Sequence, residues 1–316
     1  MFKDRKILVS IILLLGLSVG CSNNTNVNSE ESAQEIIEIT DAAEHIVDVP
    51  YEPQSVAVFD NAQIDNMDAL GLGDRIVATA SSRLPDYLSE YSNIEVAGTL
   101  HEIDLEITMA MEPELAIVAT RSSASFEALS EFVPTLDLSL TKESAFESMS
   151  YNFLELSRVF GKEETAQSIL ATLEIEKNEL AQTAEESGMR ALMLMYNEGS
   201  LSVFGTGSRF SHVYDDFGFT AADENIEVSN HGMEISYEYI IEQDPDVIFV
   251  LDRSAAISVD DGASNSSSFE ENPLIKEITA YQNSQIHYLT PDTWYLSNGG
   301  VQAYEQMIAD VATVFE

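Results

Sequence analysis

Cationic side chains are scarce in this chain. Its 316 residues include 14 Lys and Arg against 55 Asp and Glu, which gives a formal net charge of -41 at pH 7. A surface this acidic repels polyanions, which argues against nucleic acids and anionic lipid headgroups as general partners. An arginine that the fold holds at a fixed place within such a surface is therefore a candidate for binding a specific anion.

Cysteine is nearly absent as well. The only one, Cys21, ends an amino-terminal segment that has three cations in its first six residues and an apolar stretch over 7–17. This pattern is typical of an export signal, and the apolar stretch is too short to span a bilayer stably. Because a lone cysteine excludes a disulfide within the chain, the fold must be stable without one.

The residues before this cysteine resemble a bacterial lipobox. We therefore expect a lipoprotein signal peptide over 1–20, cleavage before Cys21, and acylation of Cys21 that anchors the chain to the outer face of the cell membrane. The polar residues that follow predict a flexible tether over 21–38. The alternative is a cleaved secretory signal whose cysteine stays unmodified.

Familiar catalytic motifs are also missing. No Gly-x-Ser-x-Gly turn occurs, and Gly205-Thr-Gly207 is not followed by the Lys or third Gly of a phosphate-binding loop. The five histidines include no pair within four residues, which excludes a zinc or manganese site of the His-Glu-x-x-His type. We expect no catalytic residue, no intrinsic cofactor and no enzymatic activity; an exported hydrolase is the alternative, and turnover of esters or phosphoesters would reveal it.

An internal repeat organises the rest of the chain. Segment 104–121 aligns without a gap to segment 236–253, at a constant offset of 132 residues. Each copy reads as a short helix, a proline turn, an apolar strand and an arginine just past the strand. The matched pairs are Glu106 with Glu238, Pro113 with Pro245, Val118 with Val250, and Arg121 with Arg253.

Strands that are apolar on both faces are typical of parallel sheets covered by helices, and ligands of such sheets bind beyond the carboxyl ends of the strands. The repeat therefore predicts an α/β fold with two Rossmann-like lobes and a ligand cleft between them. A stretch with few helix breakers predicts a single long helix joining the lobes. The predicted ranges are 39–161 for the first lobe, 162–187 for the helix and 188–316 for the second lobe.

Arg121 and Arg253 thus stand where a ligand of each lobe would bind, and Arg209 lies in a glycine-rich turn of the second lobe. We interpret the three arginines as an anion-binding cleft.

Several segments of the second lobe then match known motifs. They are Gly205-Thr-Gly-Ser-Arg-Phe210, residues 222–232, Val250-Leu-Asp-Arg253 and Asp292-Thr-Trp-Tyr-Leu-Ser297. In order and spacing they resemble the ligand-cleft motifs of class III, or cluster A-II, substrate-binding lipoproteins of ABC importers. The similarity is greatest to the group that binds ferric catecholate siderophores of the petrobactin type, and it covers the chain from about Ile36 onward.

The resemblance implies a binding protein that captures a ferric siderophore and delivers it to an ABC permease dimer with a cytoplasmic ATPase. By resemblance, Arg121, Arg209 and Arg253 hold the catecholate oxygens, which suits planar, permanently charged guanidinium groups. His231 and Tyr295 match positions that, in some members, coordinate the iron when the siderophore supplies four of six donors.

The resemblance also assigns three further residues. Trp294 would supply an aromatic wall, and Glu106 and Glu238, one on each lobe, would dock onto arginines of the permease. Iron would enter only as a siderophore complex. A haem, cobalamin or hydroxamate ligand on the same fold is the alternative, with Tyr295 and His231 as axial ligands of a haem.

Overall fold

The structure is a computed structural model that describes residues 34–80, 83–141, 144–229, 231–257 and 267–316. The predicted signal peptide and Cys21 lie outside the described residues. Within the described ranges, no helix combines the length and the apolar character needed to cross a membrane.

The first lobe is built on a parallel sheet of five strands in the order β5-β4-β3-β6-β7. A hairpin of β1 and β2 forms a separate antiparallel pair. The strands are β1 Ile36–Thr40, β2 Ile46–Pro50, β3 Val56–Val58, β4 Ile76–Thr79, β5 Glu95–Val96, β6 Leu115–Val118 and β7 Thr135–Asp137. Because β1 begins at Ile36 and pairs along its whole length with β2, the predicted tether over 21–38 is too long at its carboxyl end.

Five α-helices are described in this half of the chain. They are α1 Asn61–Ala69, α2 Leu105–Ala110, α3 Phe126–Ser130, α4 Ala145–Val159 and α5 Glu163–Ser187, with 3-10 turns at Gly73–Arg75, Asp86–Asn93 and Ser123–Ser125.

The second lobe contains a mixed sheet in the order β11-β9-β8-β12-β13, with β10 paired to β8. Strands β8, β12 and β13 run parallel, whereas β9 is antiparallel to both β8 and β11. The strands are β8 Arg190–Asn197, β9 Ser200–Phe204, β10 Thr220–Ala221, β11 Met233–Ile235, β12 Val247–Asp252 and β13 Ile286–Tyr288. Strands β8 and β9 form a hairpin around residues 197–199.

The helices of the second lobe are short until the last one. They are α6 His212–Asp215, α7 Tyr237–Gln243, α8 Arg253–Ile257, α9 Ser267–Glu271, α10 Thr279–Gln282, α11 Pro291–Leu296 and α12 Val301–Ala312, with 3-10 turns at Ile275–Glu277 and Thr313–Phe315.

The sequence repeat is also a structural repeat. Helix α2 precedes β6 as α7 precedes β12, and every residue of both strands is buried. The residue before each proline, Glu112 or Asp244, has a positive φ of 49° or 41°. This left-handed conformation stops each helix in the same way, and the proline cannot continue it.

Helix α5 joins the two lobes in the chain. Helix α5 spans 25 residues, or about 37 Å at 1.5 Å per residue, and ends at Gly188 in the left-handed conformation. Its buried side includes Leu173 and Leu180. A Cβ on Gly218 of the second lobe would lie 2.6 Å from the carbonyl oxygen of Ala181, so that lobe packs directly on the α5 backbone.

The terminal helix α12 departs from the predicted domain ranges, because it packs against α1 of the first lobe as well as against α5. The carboxylate of Asp65 in α1 accepts hydrogen bonds from the N–H groups of Gln302 and Ala303 at 3.0 and 2.9 Å. These donors belong to the first turn of α12, which has no partner within its own helix. A single hydrophobic cluster also contains residues from both sheets. The two lobes therefore share a core, which opposes large hinge motion.

Candidate functional site

Each of the three arginines is placed by a strand end or a tight loop. Arg121 lies three residues beyond β6, and Arg253 follows β12 directly as the first residue of α8. Arg209 lies in the loop between β9 and α6. That loop is held by a bond of 2.6 Å from the Ser208 hydroxyl to the Gly205 carbonyl and by one of 2.8 Å from Gly207 N–H to Asp215.

The structure brings all three guanidinium groups to Tyr295 of α11. Arg209 Nη2 donates to the Tyr295 carbonyl oxygen at 2.7 Å, and Arg121 Nη2 lies 3.4 Å from the same oxygen. Arg253 donates from Nε to the Tyr295 hydroxyl at 3.0 Å. The guanidinium carbons of Arg121, Arg209 and Arg253 lie 5.3, 4.7 and 5.6 Å, respectively, from the centre of the Tyr295 ring, within range of a cation–π contact. The cluster of Arg121, Arg209, Arg253 and Tyr295 is referred to below as the arginine cluster.

This crowding of like charges changes the acidity of the groups involved. Burial and the neighbouring charge of Arg121 lower the pKa of Arg209 to about 10. Burial raises the pKa of Tyr295, but the hydrogen bond from Arg253 and the charges of the three arginines outweigh it, so this pKa lies below the ordinary value of 10.0. The arginine cluster therefore stabilises a phenolate, and the same field favours any other phenolate-like oxygen placed there.

A carboxylate that the sequence reading did not single out faces the same place. Asp60 follows β3, caps α1 by accepting from Ala62 N–H at 2.9 Å, and lines a cavity together with Arg121 and Arg209. The rule that points to Arg121 also applies to Asp60, because β3 and β6 are parallel neighbours and their carboxyl ends lie at one edge of the sheet.

The cavity among these residues has a volume of about 20 Å³, enough for one water molecule. Ligand pockets in proteins are usually several hundred cubic ångströms. A larger ligand therefore has to separate the side chains of the arginine cluster or bind on its open side.

Trp294 does not form an aromatic wall. Its side chain is fully buried, packs edge-to-face on His212 at 5.7 Å, and donates its indole N–H to Asp310 at 2.8 Å. Successive residues of a helix point in directions about 100° apart. Because Tyr295 faces the three arginines, the preceding residue, Trp294, points into the core.

His231 lies outside the arginine cluster. It is exposed, just before β11, and its backbone N–H donates to the Ser229 hydroxyl at 3.1 Å. Within the described ranges no hydrogen bond or ring contact joins its imidazole to Tyr295. No set of three or more His, Cys, Asp or Glu side chains in those ranges is arranged to hold a metal ion.

Glu106 and Glu238 occupy equivalent exposed positions in the first turns of α2 and α7. Hydrogen bonds from its own N–H and from the Ser236 hydroxyl lower the pKa of Glu238. Both side chains are exposed at the surface, one on each lobe.

The other described arginines have partners away from the cluster. Arg75 donates to the Pro53 carbonyl, Arg158 pairs with Glu155, and Arg190 donates to carbonyls at the end of α7. Arg83 is partly buried and donates to the Ala256 carbonyl at 3.3 Å, which links the two lobes.

Comparison with known proteins identifies the family of the chain. A family model described as Periplasmic binding protein matches residues 56–293, more than half of the chain. The chain belongs to the periplasmic binding protein family.

Among its relatives, the petrobactin-binding protein YclQ of Bacillus subtilis (strain 168) is 33% identical over 311 residues, which cover 96% of each chain. The crystal structure of YclQ matches with a TM-score of 0.83 at 34% identity, over 90% of this chain and 99% of that one.

Two further crystal structures are similarly close. The periplasmic catecholate-siderophore binding protein VctP of Vibrio cholerae matches with a TM-score of 0.82 at 32% identity, over 88% of this chain and 100% of that one. The iron uptake ABC transporter substrate-binding protein PiuA of Streptococcus pneumoniae matches with a TM-score of 0.82 at 34% identity, over 89% and 99%. The predicted two-lobe α/β fold of this family is therefore confirmed.

The acidity of Tyr295 can be measured directly. In an ultraviolet titration of the 12 tyrosines, we expect one tyrosine to ionise below the ordinary pKa of 10.0, because three guanidinium charges favour its phenolate. Tyr295→Phe should remove this step and Arg253→Met should move it to higher pH. Tyr288→Phe is the control, because burial and the neighbouring Glu270 raise the pKa of Tyr288 and its loss leaves the early step unchanged. An early step that persists in Tyr295→Phe would contradict the assignment.

Proposed function

We propose that this periplasmic binding protein captures a ferric catecholate siderophore outside the cytoplasm and delivers it to an ABC permease, without catalysing a reaction. The observation that supports this function best is the arginine cluster. Three guanidinium groups from both lobes lie within 6 Å of one phenol ring, in a chain of formal charge -41.

The chemistry of the ligand fits this cluster. A ferric tris-catecholate is trianionic, and its negative charge lies on phenolate oxygens like that of Tyr295. Guanidinium groups donate paired hydrogen bonds to such oxygens and keep their charge at any physiological pH. At about 5 Å and an effective dielectric constant near 20, each pair of unit charges contributes roughly 3 kcal/mol before desolvation is subtracted.

The relatives support the same class of ligand. YclQ is named for petrobactin and VctP for a catecholate siderophore, and PiuA is named as the substrate-binding protein of an iron-uptake ABC transporter. We infer a catecholate siderophore of the petrobactin type. The alternative of a haem with Tyr295 as axial ligand is less well supported, because these relatives are named for siderophores or iron uptake and not for haem.

The attachment to the membrane is inferred from the sequence. Cleavage before Cys21 and acylation of its thiol would place the binding lobes at the outer face of the cell membrane, tied by residues 22–35. Those residues precede β1 in the chain.

The arginines can be tested one at a time. Arg121→Gln, Arg209→Gln and Arg253→Gln each remove one charge-assisted contact, worth about 1.5 to 3 kcal/mol, so each should weaken binding of a ferric tris-catecholate about ten- to hundredfold. Quenching of the only tryptophan, Trp294, next to Tyr295 in α11, provides the signal. Arg75→Gln, which removes the same charge outside the cluster, should bind like the wild type. Unchanged affinity in all three cluster variants would refute the proposed site.

Direct coordination of iron by His231 and Tyr295 makes a separate prediction. A phenolate and a neutral imidazole would complete the coordination of iron in a bis-catecholate complex, which leaves two sites open. We expect His231→Ala to weaken binding of the ferric bis-catecholate about tenfold or more while binding of the tris-catecholate is unchanged. Tyr295→Phe should also remove the contribution of the tyrosine phenolate to the ligand-to-iron absorption of the bound bis-catecholate. Equal affinity of wild type and variants for both complexes would mean that neither side chain binds iron.

Glu106 and Glu238 are the proposed contacts with the permease. Their equivalent positions on the two lobes suit a dimeric partner with two equivalent basic patches. Charge reversal at both, Glu106→Lys with Glu238→Lys, should leave siderophore affinity unchanged but abolish uptake of iron-55 by cells that express the permease. Reversal of two exposed acids of α5, Glu174 and Glu179, is the matched control. Full uptake in the Glu106/Glu238 variant would show that the complex docks elsewhere.

A further inference from the structure

The cavity beside the arginine cluster contains one acidic side chain. Asp60 lines it together with Arg121 and Arg209, and its other lining residues are neutral. A carboxylate is an unexpected component of a site for anions, because it repels the ligand that the arginines attract. Its role as the cap of α1 explains why a polar residue stands here but does not require a charge, since Asn caps a helix as well as Asp.

Asp60 faces two charged side chains and one backbone N–H. Arg121 approaches from the loop after β6, and Arg209 from the loop between β9 and α6. On its own helix it accepts from Ala62 N–H at 2.9 Å. Without a ligand, Asp60 therefore balances part of the positive charge that Arg121 and Arg209 bring together.

A bound chelate changes this balance. Its anionic oxygens compete with Asp60 for Arg121 and Arg209 and place additional negative charge beside the carboxylate. We propose that Asp60 selects for the charge of the bound chelate, opposing the most highly anionic complexes and taking up one proton from solvent when such a complex binds. This inference rests on the proposed function and adds to it a rule for which chelates the cleft prefers.

The acidity of Asp60 is consistent with this role. Asp60 is partly buried, and the loss of solvation raises its pKa to about 6, although the Ala62 N–H and the charges of Arg121 and Arg209 act in the opposite direction. Below this pH the carboxyl is already protonated in the free protein and cannot oppose the ligand. When a chelate draws the two arginines away, the pKa rises further. Proton uptake on binding is therefore confined to a window that begins at about pH 6, and affinity for the chelate falls as the pH rises through that window.

Asp60→Asn is the direct test, because it keeps the helix cap and removes only the charge. Isothermal titration with the ferric tris-catecholate, which is trianionic, and the ferric bis-catecholate, which is monoanionic, should be performed at about pH 5 and about pH 8. We expect Asp60→Asn to bind the trianionic complex about tenfold more tightly than the wild type at about pH 8, equivalent to one pKa unit. The gain should be smaller for the monoanionic complex, and it should vanish for both at about pH 5.

Proton uptake gives a readout that a purely structural role would not change. Titrations in two buffers with different ionisation enthalpies should show that the wild type takes up protons on binding at about pH 7 and that Asp60→Asn takes up fewer. Asp104→Asn is the matched control. Asp104 also caps a helix, by accepting from Ile107 N–H at 3.0 Å, and it does not line the cavity. This variant removes the same charge from the acidic chain and should behave like the wild type.

The outcomes separate this inference from the proposed function. If wild-type protein binds neither complex, the proposed function fails and this inference fails with it. If the wild type binds and the arginine variants lose affinity, but Asp60→Asn shows equal or weaker binding of the trianionic complex at about pH 8, only the role of Asp60 is refuted. Proton uptake by Asp60→Asn equal to that of the wild type would independently refute the proposed role of Asp60.

Discussion

The candidate site depends on holding the positive charges of Arg121, Arg209 and Arg253 together at Tyr295. Guanidinium groups repel one another, and burial adds a cost that shows in the lowered pKa of Arg209. The carbonyl, hydroxyl and ring of Tyr295 each offset part of this cost by accepting hydrogen bonds or facing a cation. Asp60 adds a counter-charge from the first lobe. In the ligand-free structure the charges of the arginine cluster are therefore compensated by the neutral groups of Tyr295 and by one carboxylate, Asp60.

This arrangement requires a frame that does not open widely. Arg121 belongs to the first lobe, whereas Arg209, Arg253 and Tyr295 belong to the second, so a large change in lobe orientation would separate the charges from their partners. The shared core, the α5 helix and the capping of α12 by Asp65 all oppose such a change. Because the cavity beside the arginine cluster is small, we infer that ligand binding rearranges the side chains of the cluster and moves the lobes only slightly.

Much of this could be predicted from the sequence, for a physical reason. Parallel strands of one sheet place their carboxyl ends at one edge, so the repeat was enough to predict that Arg121 and Arg253 each lie at the ligand-binding edge of their own sheet. Features that depend on three-dimensional packing could not be predicted in this way. The direction of Trp294 follows from the rotation of α11 against the core, and the packing of α12 on the first lobe depends on Asp65, a residue distant in sequence. Asp60 also follows a strand end and could have been predicted by the same rule, but a search for anion-binding residues considers only cations.

A crystal structure with a bound ferric tris-catecholate tests the central claim most directly. The account predicts that the iron complex lies against Arg121, Arg209 and Arg253, and that its catecholate oxygens replace the carbonyl and hydroxyl oxygens of Tyr295 as acceptors for at least two of these guanidinium groups. An iron complex bound elsewhere, with all three arginines still on Tyr295, would contradict it.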